Sequence, residues 1–199
     1  MESEEYLPFP SKKYSIIYAD PPWAYQNQAT RAAANKHYNT MTIQDIADLP
    51  VANIADENCV LFLWVTFPML PKAFDIIKAW GFHYKTVAFT WLKENPSGNG
   101  LFMGLGNYTR SNAEICLLAT RGKPKRANAS ISSAILAPRE RHSKKPDEVR
   151  RRIEQLMGDI PRIELFARQQ ADGWDVWGNE VPGEKVAEKA SECNFKSQE

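Results

Sequence analysis

With 199 residues, 43% of them hydrophobic, the chain can bury one substantial core without a disulfide framework or structural metal, and it has no room for a second large domain. Its 25 lysines and arginines nearly balance 24 aspartates and glutamates, and the net charge of +1 excludes a uniformly basic coat. No apolar stretch approaches a membrane span, and Cys59, Cys116 and Cys193 lack the paired spacing of a metal site or disulfide, so a soluble cytoplasmic protein without a metal is expected.

Residues 1–13 open with acidic Met1-Glu2-Ser3-Glu4-Glu5 and read as an extension rather than an export signal. Residues 14–19, Tyr-Ser-Ile-Ile-Tyr-Ala, form the first expected strand, and Asp20-Pro21-Pro22-Trp23 follows it directly. The prolines fix φ and carry no N–H, so their carbonyls are expected to stand as acceptors without a neighbouring donor. A carboxylate, a rigid carbonyl and an indole at a strand's carboxyl end suit a flat ring bearing an amine, and ligands of open α/β sheets bind at such ends. Adenine is the expected ring: Asp20 and the Pro21 carbonyl accepting its two N6 hydrogens would localise the nitrogen lone pair, with Trp23 offering a face for stacking. The alternative is a strand-ending turn in which Trp23 only fills the core.

Thr42-Ile43-Gln44-Asp45 reads as a capped helix start, with the helix ended by Pro50. Residues 59–65 are a second buried strand. Leu70, Ala73, Phe74, Ile77 and Trp80 recur at helical spacing with Gly81 as a stop, predicting an amphipathic helix over 68–80. Strands are expected over 84–91 and 113–119, the first leading into Lys93, which is expected either to meet a phosphate or to stand as a solvated edge group. Pro146 suits the first position of a helix whose Val149, Ile153 and Leu156 share a face, with Asp147 and Glu148 at its positive end. Residues 162–167 complete the strands, and the polar stretch 182–199 reads as a disordered tail. Strands alternating with helices favour a three-layer α/β domain over 14–181 with a mostly parallel sheet.

Charge is uneven along the chain. Residues 110–152 hold twelve Lys/Arg against four Asp/Glu, net +8, the pattern of a nucleic-acid footprint. The loops over 24–41 and 121–144 are expected to flank the pocket and to serve strand separation.

Tyr18-Ala19-Asp20-Pro21-Pro22-Trp23, Leu61-Phe62-Leu63-Trp64-Val65-Thr66, Lys145-Pro146-Asp147-Glu148, Ile163-Glu164-Leu165-Phe166-Ala167-Arg168 and Trp177-Gly178-Asn179-Glu180 resemble, in order, the signatures of the N6-adenine methyltransferases related to the eukaryotic mRNA adenosine methyltransferase. The resemblance covers about residues 14–181 and implies a Rossmann-like class I methyltransferase fold, an αβα sandwich with circularly permuted motif order, using S-adenosylmethionine as cofactor. It implies catalytic roles for Asp20, Pro21, Pro22 and Trp23. Tyr38, Trp64 and Glu114 match target-base positions; Lys145, Glu164, Phe166, Arg168, Asn179 and Glu180, with Asp20, match the cofactor side. Ala167-Arg168 stands where the family often has Gly-Arg, and Glu180 where it often has Gln. DNA is the expected substrate, because the chain lacks the long extensions of the eukaryotic RNA enzymes. RNA methylation or a catalytically silent nucleic-acid-binding subunit are the alternatives, and relatives that pair make a homodimer an expectation.

Overall fold

A strand whose side chains are buried on both sides needs a layer on each side of its sheet. In the computed structural model, which describes residues 8–24, 40–106, 108–140, 144–179 and 181, two adjacent strands meet this condition. β1 (Tyr14–Ala19) and β2 (Ala55–Val65) pair in parallel with Ile17 opposite Leu61 and Ala19 opposite Leu63, and β2 is buried continuously from Cys59 onward. With β3 (His83–Glu94), β4 (Ala113–Arg121), β5 (Ala134–Pro138), β6 (Arg162–Leu165) and β7 (Asp175–Trp177) they form a seven-stranded sheet in the order β5-β3-β4-β2-β1-β6-β7. Among these strands only β4 runs against the rest.

Side-chain alternation sorts the core into two clusters. Ile17, Leu61, Leu63, Val65, Leu117, Ile163 and Leu165 point to one face, beneath α1 (Ile43–Ala47), α2 (Val51–Ile54) and α3 (Leu70–Ala79). Ile16, Tyr18, Val60, Phe62, Trp64, Cys116 and Trp91 point to the other, beneath α4 (Glu148–Met157), which contributes Val149, Ile153 and Met157. The expected cap of α1 is present as a reciprocal box: Asp45 N donates to Thr42 Oγ1 at 3.1 Å and Thr42 N to Asp45 Oδ2 at 3.2 Å.

Several expectations need correction. The 68–80 helix is a 3-10 turn (Phe67–Met69) followed by α3, and Phe74, expected on its buried face, is exposed and meets Tyr84 edge-on at 5.1 Å, while Ile76 is buried instead. Pro146 precedes α4, whose N-cap is Asp147. Strands β5 and β7 fall in stretches too short or too polar to show a strand period. Strand β4 is antiparallel because both ends of the β3–β4 connection lie at the same sheet edge.

That edge matters. β1, β2, β3, β6 and β7 all end there, so Asp20, Thr66, Phe166 and Gly178 emerge side by side, and Glu114 enters at the start of β4. The basic segment does not gather there as expected. Lys123 N donates to Asn58 Oδ1 at 2.7 Å and Ala127 N to the carbonyl of Leu156 at 2.7 Å, which places Lys123, Lys125 and Arg126 toward the opposite edge, by the start of β2 and the end of α4. Only beyond β5, where Arg139 N donates to the Glu94 carbonyl at 3.2 Å, does the segment return to the site edge.

Candidate active site

Asp20 leaves β1 on the face of Ile16 and Tyr18, because strand residues two apart share a side. The turn behind it is tight: Trp23 N donates to the Pro21 carbonyl at 2.9 Å and Met41 N to the Pro22 carbonyl at 3.0 Å. Both proline carbonyls therefore carry a backbone donor, contrary to expectation, although each retains a second lone pair. Trp23 is only 7% exposed, packs in the α1–α3 cluster, and its indole N–H donates to the Trp64 carbonyl at 3.1 Å. Its ring pins the turn to the end of β2 rather than standing open as a platform.

Four charged side chains from four segments form an alternating chain. Lys145 Nζ lies 2.6 Å from Asp20 Oδ2 and 3.3 Å from Glu114 Oε2, and Glu114 Oε1 is paired with Lys93. Lys145 Nζ also sits over the Trp64 ring, 5.4 Å from its centroid, and Lys93 Nζ lies 5.1 Å from that of Trp91. Burial alone would push Lys145 down, yet Asp20 and Glu114 hold it above the ordinary lysine value, so it is a cation at neutral pH. Burial pushes Glu114 up, but Lys145 and Lys93 together outweigh it and keep the carboxyl below its ordinary range. Trp64 is wholly buried; it is core, as a lone aromatic in an apolar strand usually is, and also the floor under Lys145. Lys93, expected to face a phosphate, is committed to Glu114.

On the β6–β7 side, Glu164 projects to the α4 face, where Arg150 grips it with two hydrogen bonds, Nε to Oε2 at 2.6 Å and Nη2 to Oε1 at 2.9 Å. Burial raises the Glu164 carboxyl above its ordinary value, against the pull of Arg150. Arg150 escaped notice in the sequence, although a carboxylate between Ile163 and Leu165 is itself the signal that a cation must come to it. Tyr18 was missed likewise; its buried hydroxyl accepts from Trp64 Nε1 at 2.8 Å. Phe166 has φ +61°, a left-handed conformation unusual for an aromatic residue, and its ring packs edge-on against Trp177 at 5.5 Å. Gly178 must be glycine: a Cβ there would lie 2.1 Å from the Ala167 carbonyl oxygen, because the exit of β7 runs directly against the turn after β6. Arg168 and Asn179, both partly buried, lie on these two exits. Tyr38 and Glu180 lie outside the described residues.

A buried cluster of alternating charges lies at the carboxyl ends of a mostly parallel sheet, the place where open α/β domains carry their ligand sites. Comparison of sequences narrows the class. A family model described as MT-A70 matches residues 14–180, and the chain belongs to the MT-A70 family. It is 34% identical to the type II methyltransferase M.MunI of a Mycoplasma species, over 92% of this chain and 84% of that one. It is 27% identical to the human N(6)-adenosine-methyltransferase catalytic subunit METTL3, over 92% of this chain and 31% of the relative, and 28% identical to an Arabidopsis thaliana MT-A70-like N(6)-adenosine-methyltransferase, over 92% and 26%. The chain thus spans most of the bacterial relative and less than a third of these eukaryotic ones.

Proposed function

We propose that this protein transfers the methyl group of S-adenosylmethionine to the N6 amine of adenine in DNA. The observation that carries the reading is Asp20 at the end of β1, held by Lys145 beside the two proline carbonyls. DNA is favoured over RNA because a relative matched over 84% of its length is a type II methyltransferase.

The residues present fit the cofactor by charge: an acid and a lysine, Asp20 and Lys145, complement the ammonium and carboxylate of its amino-acid end, while Arg168 and Asn179, with Glu180, supply polar partners for the ribose. When bound, S-adenosylmethionine supplies an electrophilic methyl carbon, which the adenine N6 lone pair takes as the carbon–sulfur bond breaks. Asp20 and the remaining lone pair of the Pro21 carbonyl accept the two N6 hydrogens, hold the amine in line, and Asp20 receives the proton that the methylated nitrogen sheds. Trp23 acts by fixing the turn, and Glu114 with Lys93 keeps Lys145 charged and aimed at Asp20. The gain is chiefly one of orientation. Tyr38 stacks on the extruded base, and Glu164 and Phe166 shape the cofactor end of β6.

In this reading the sheet is that of a Rossmann-like class I methyltransferase with permuted order, β1 carrying the catalytic turn before β6 carries the cofactor turn. Residues 14–181 are the catalytic domain, flanked by 1–13 and 182–199. Among the described residues no helix is long and apolar enough to cross a membrane, and we place the enzyme in the cytoplasm, acting alone or as a homodimer.

Purified protein incubated with radiolabelled S-adenosylmethionine and matched DNA and RNA oligonucleotides tests the proposal. Label enters N6 of adenine in DNA, and Asp20→Ala abolishes labelling while circular dichroism stays unchanged. Label in RNA alone transfers the function to RNA; labelling that survives Asp20→Ala removes Asp20 from the chemistry.

A further inference from the structure

The connection between β3 and β4 is a narrow ribbon rising from the rim of the site. Its base is stitched by Phe102 N to the Lys93 carbonyl at 2.7 Å, Lys93 N to the Asn112 carbonyl at 2.9 Å and Gly104 N to the Ser111 carbonyl at 3.1 Å. Two glycines let the legs close: a Cβ would lie 2.3 Å from the Ser111 oxygen at Gly104 and 1.9 Å from the Thr109 oxygen at Gly106. Arg139 clamps Phe102 from the side, its guanidinium 4.2 Å from the ring centroid. Beyond this anchored base the ribbon exposes large apolar side chains: Met103 is 62% exposed, Leu105 87% and Tyr108 fully.

Three large apolar groups on one hydrogen-bonded projection are a contact surface in search of an occupant. The composition names it. Residues 95–113 contain no acidic residue and include Arg110, so nothing on the ribbon repels a phosphate backbone. Its legs end at Lys93, which is paired with Glu114, and at Ala113, next to Glu114, so the ribbon rises from the rim of the charged cluster that contains Asp20.

Resting on the DNA reading above, we propose that Met103, Leu105 and Tyr108 form an apolar wedge that enters a DNA duplex and fills the space left when the target adenine leaves the stack. Extrusion costs a few kcal/mol in a duplex and little in a single strand, and apolar side chains inserted between base steps are a known way of meeting such a cost. The ribbon therefore matters only where there is a stack to open.

The test is methylation of one DNA as duplex and as heat-denatured single strand by the wild type, by Leu105→Ser, and by the triple variant Met103→Ser, Leu105→Ser, Tyr108→Ser, with molecular mass followed by sedimentation. The triple variant loses about tenfold or more in kcat/KM on duplex, keeps its rate on single strands, and keeps its mass; Leu105→Ser shows the same selectivity to a smaller degree. Equal loss on both forms, no loss on either, or a fall in mass that marks the tip as a contact between two copies overturns the wedge. A wild type that methylates neither form of DNA defeats the substrate assignment instead, a result separable from all of these.

Discussion

The two faces of the sheet are built from the same strands and do different work. Among the described residues, the core under α1, α2 and α3 holds no buried carboxylate. Under α4 lie the buried glutamates Glu114 and Glu164, and a set of aromatic side chains with bonded tips: Trp64 to Tyr18, Trp91 Nε1 to the Ala137 carbonyl at 2.9 Å, and Trp174 Nε1 to Glu154 Oε1 at 2.6 Å. Because alternate residues share a face, the series Ile16, Tyr18, Asp20 runs from dry core to reactive edge on one side. Both faces are rich in aromatic side chains, so the difference lies in charge: the chemistry is an extension of the α4 face, where the Trp64 ring, tied to Tyr18, is the floor under Lys145, while the α1–α3 face supplies burial and, through Trp23, pins the Asp20 turn.

That contrast can be broken by mutation. The largest effect on stability is expected from Leu61→Ala on the α1–α3 side, a loss of about 2–5 kcal/mol in denaturant unfolding with methylation per folded molecule unchanged; reduced activity per folded molecule would erase the division of labour. Trp64→Phe, on the other face of the same strand, removes the indole N–H from the Tyr18 hydroxyl and costs about 1–3 kcal/mol, yet lowers methylation more than Leu61→Ala does, since the floor under Lys145 changes. Lys93→Met has the smallest effect and shows itself in pH. Glu114 is held below its ordinary value, so its stabilising contribution is complete above the unfolded carboxylate value of about 4.3 and is lost as pH falls through the lower folded one. Removing Lys93 raises the folded value, so acid unfolding followed by circular dichroism begins at higher pH than in the wild type; an unmoved or lowered midpoint contradicts the pairing.

Much of this was legible in the residues. The strand Tyr14–Ala19, the Thr42–Asp45 cap and the helix after Lys145 follow from local pattern, which operates over a few residues. The Asp20 turn could be located because prolines and a carboxylate after an apolar run have few other uses. β5 and β7 were not legible: at five and three residues, they become strands only by pairing with β3 and β6. The basic segment misled because a count along the chain carries no direction, and antiparallel β4 delivers Lys123, Lys125 and Arg126 to the far edge.

Sequence alone determined which of the longer strands run through the core, that a proline turn follows β1, and which functional groups the chain possesses, since these depend on side-chain chemistry and short periods. Only the tertiary structure decided who meets whom: Lys145 reaches Asp20 across 125 positions, Arg150 rather than a ligand satisfies Glu164, and Lys93 spends its charge on Glu114. Those pairings are set by strand order and direction, and a buried charge takes the opposite charge that the fold brings within reach.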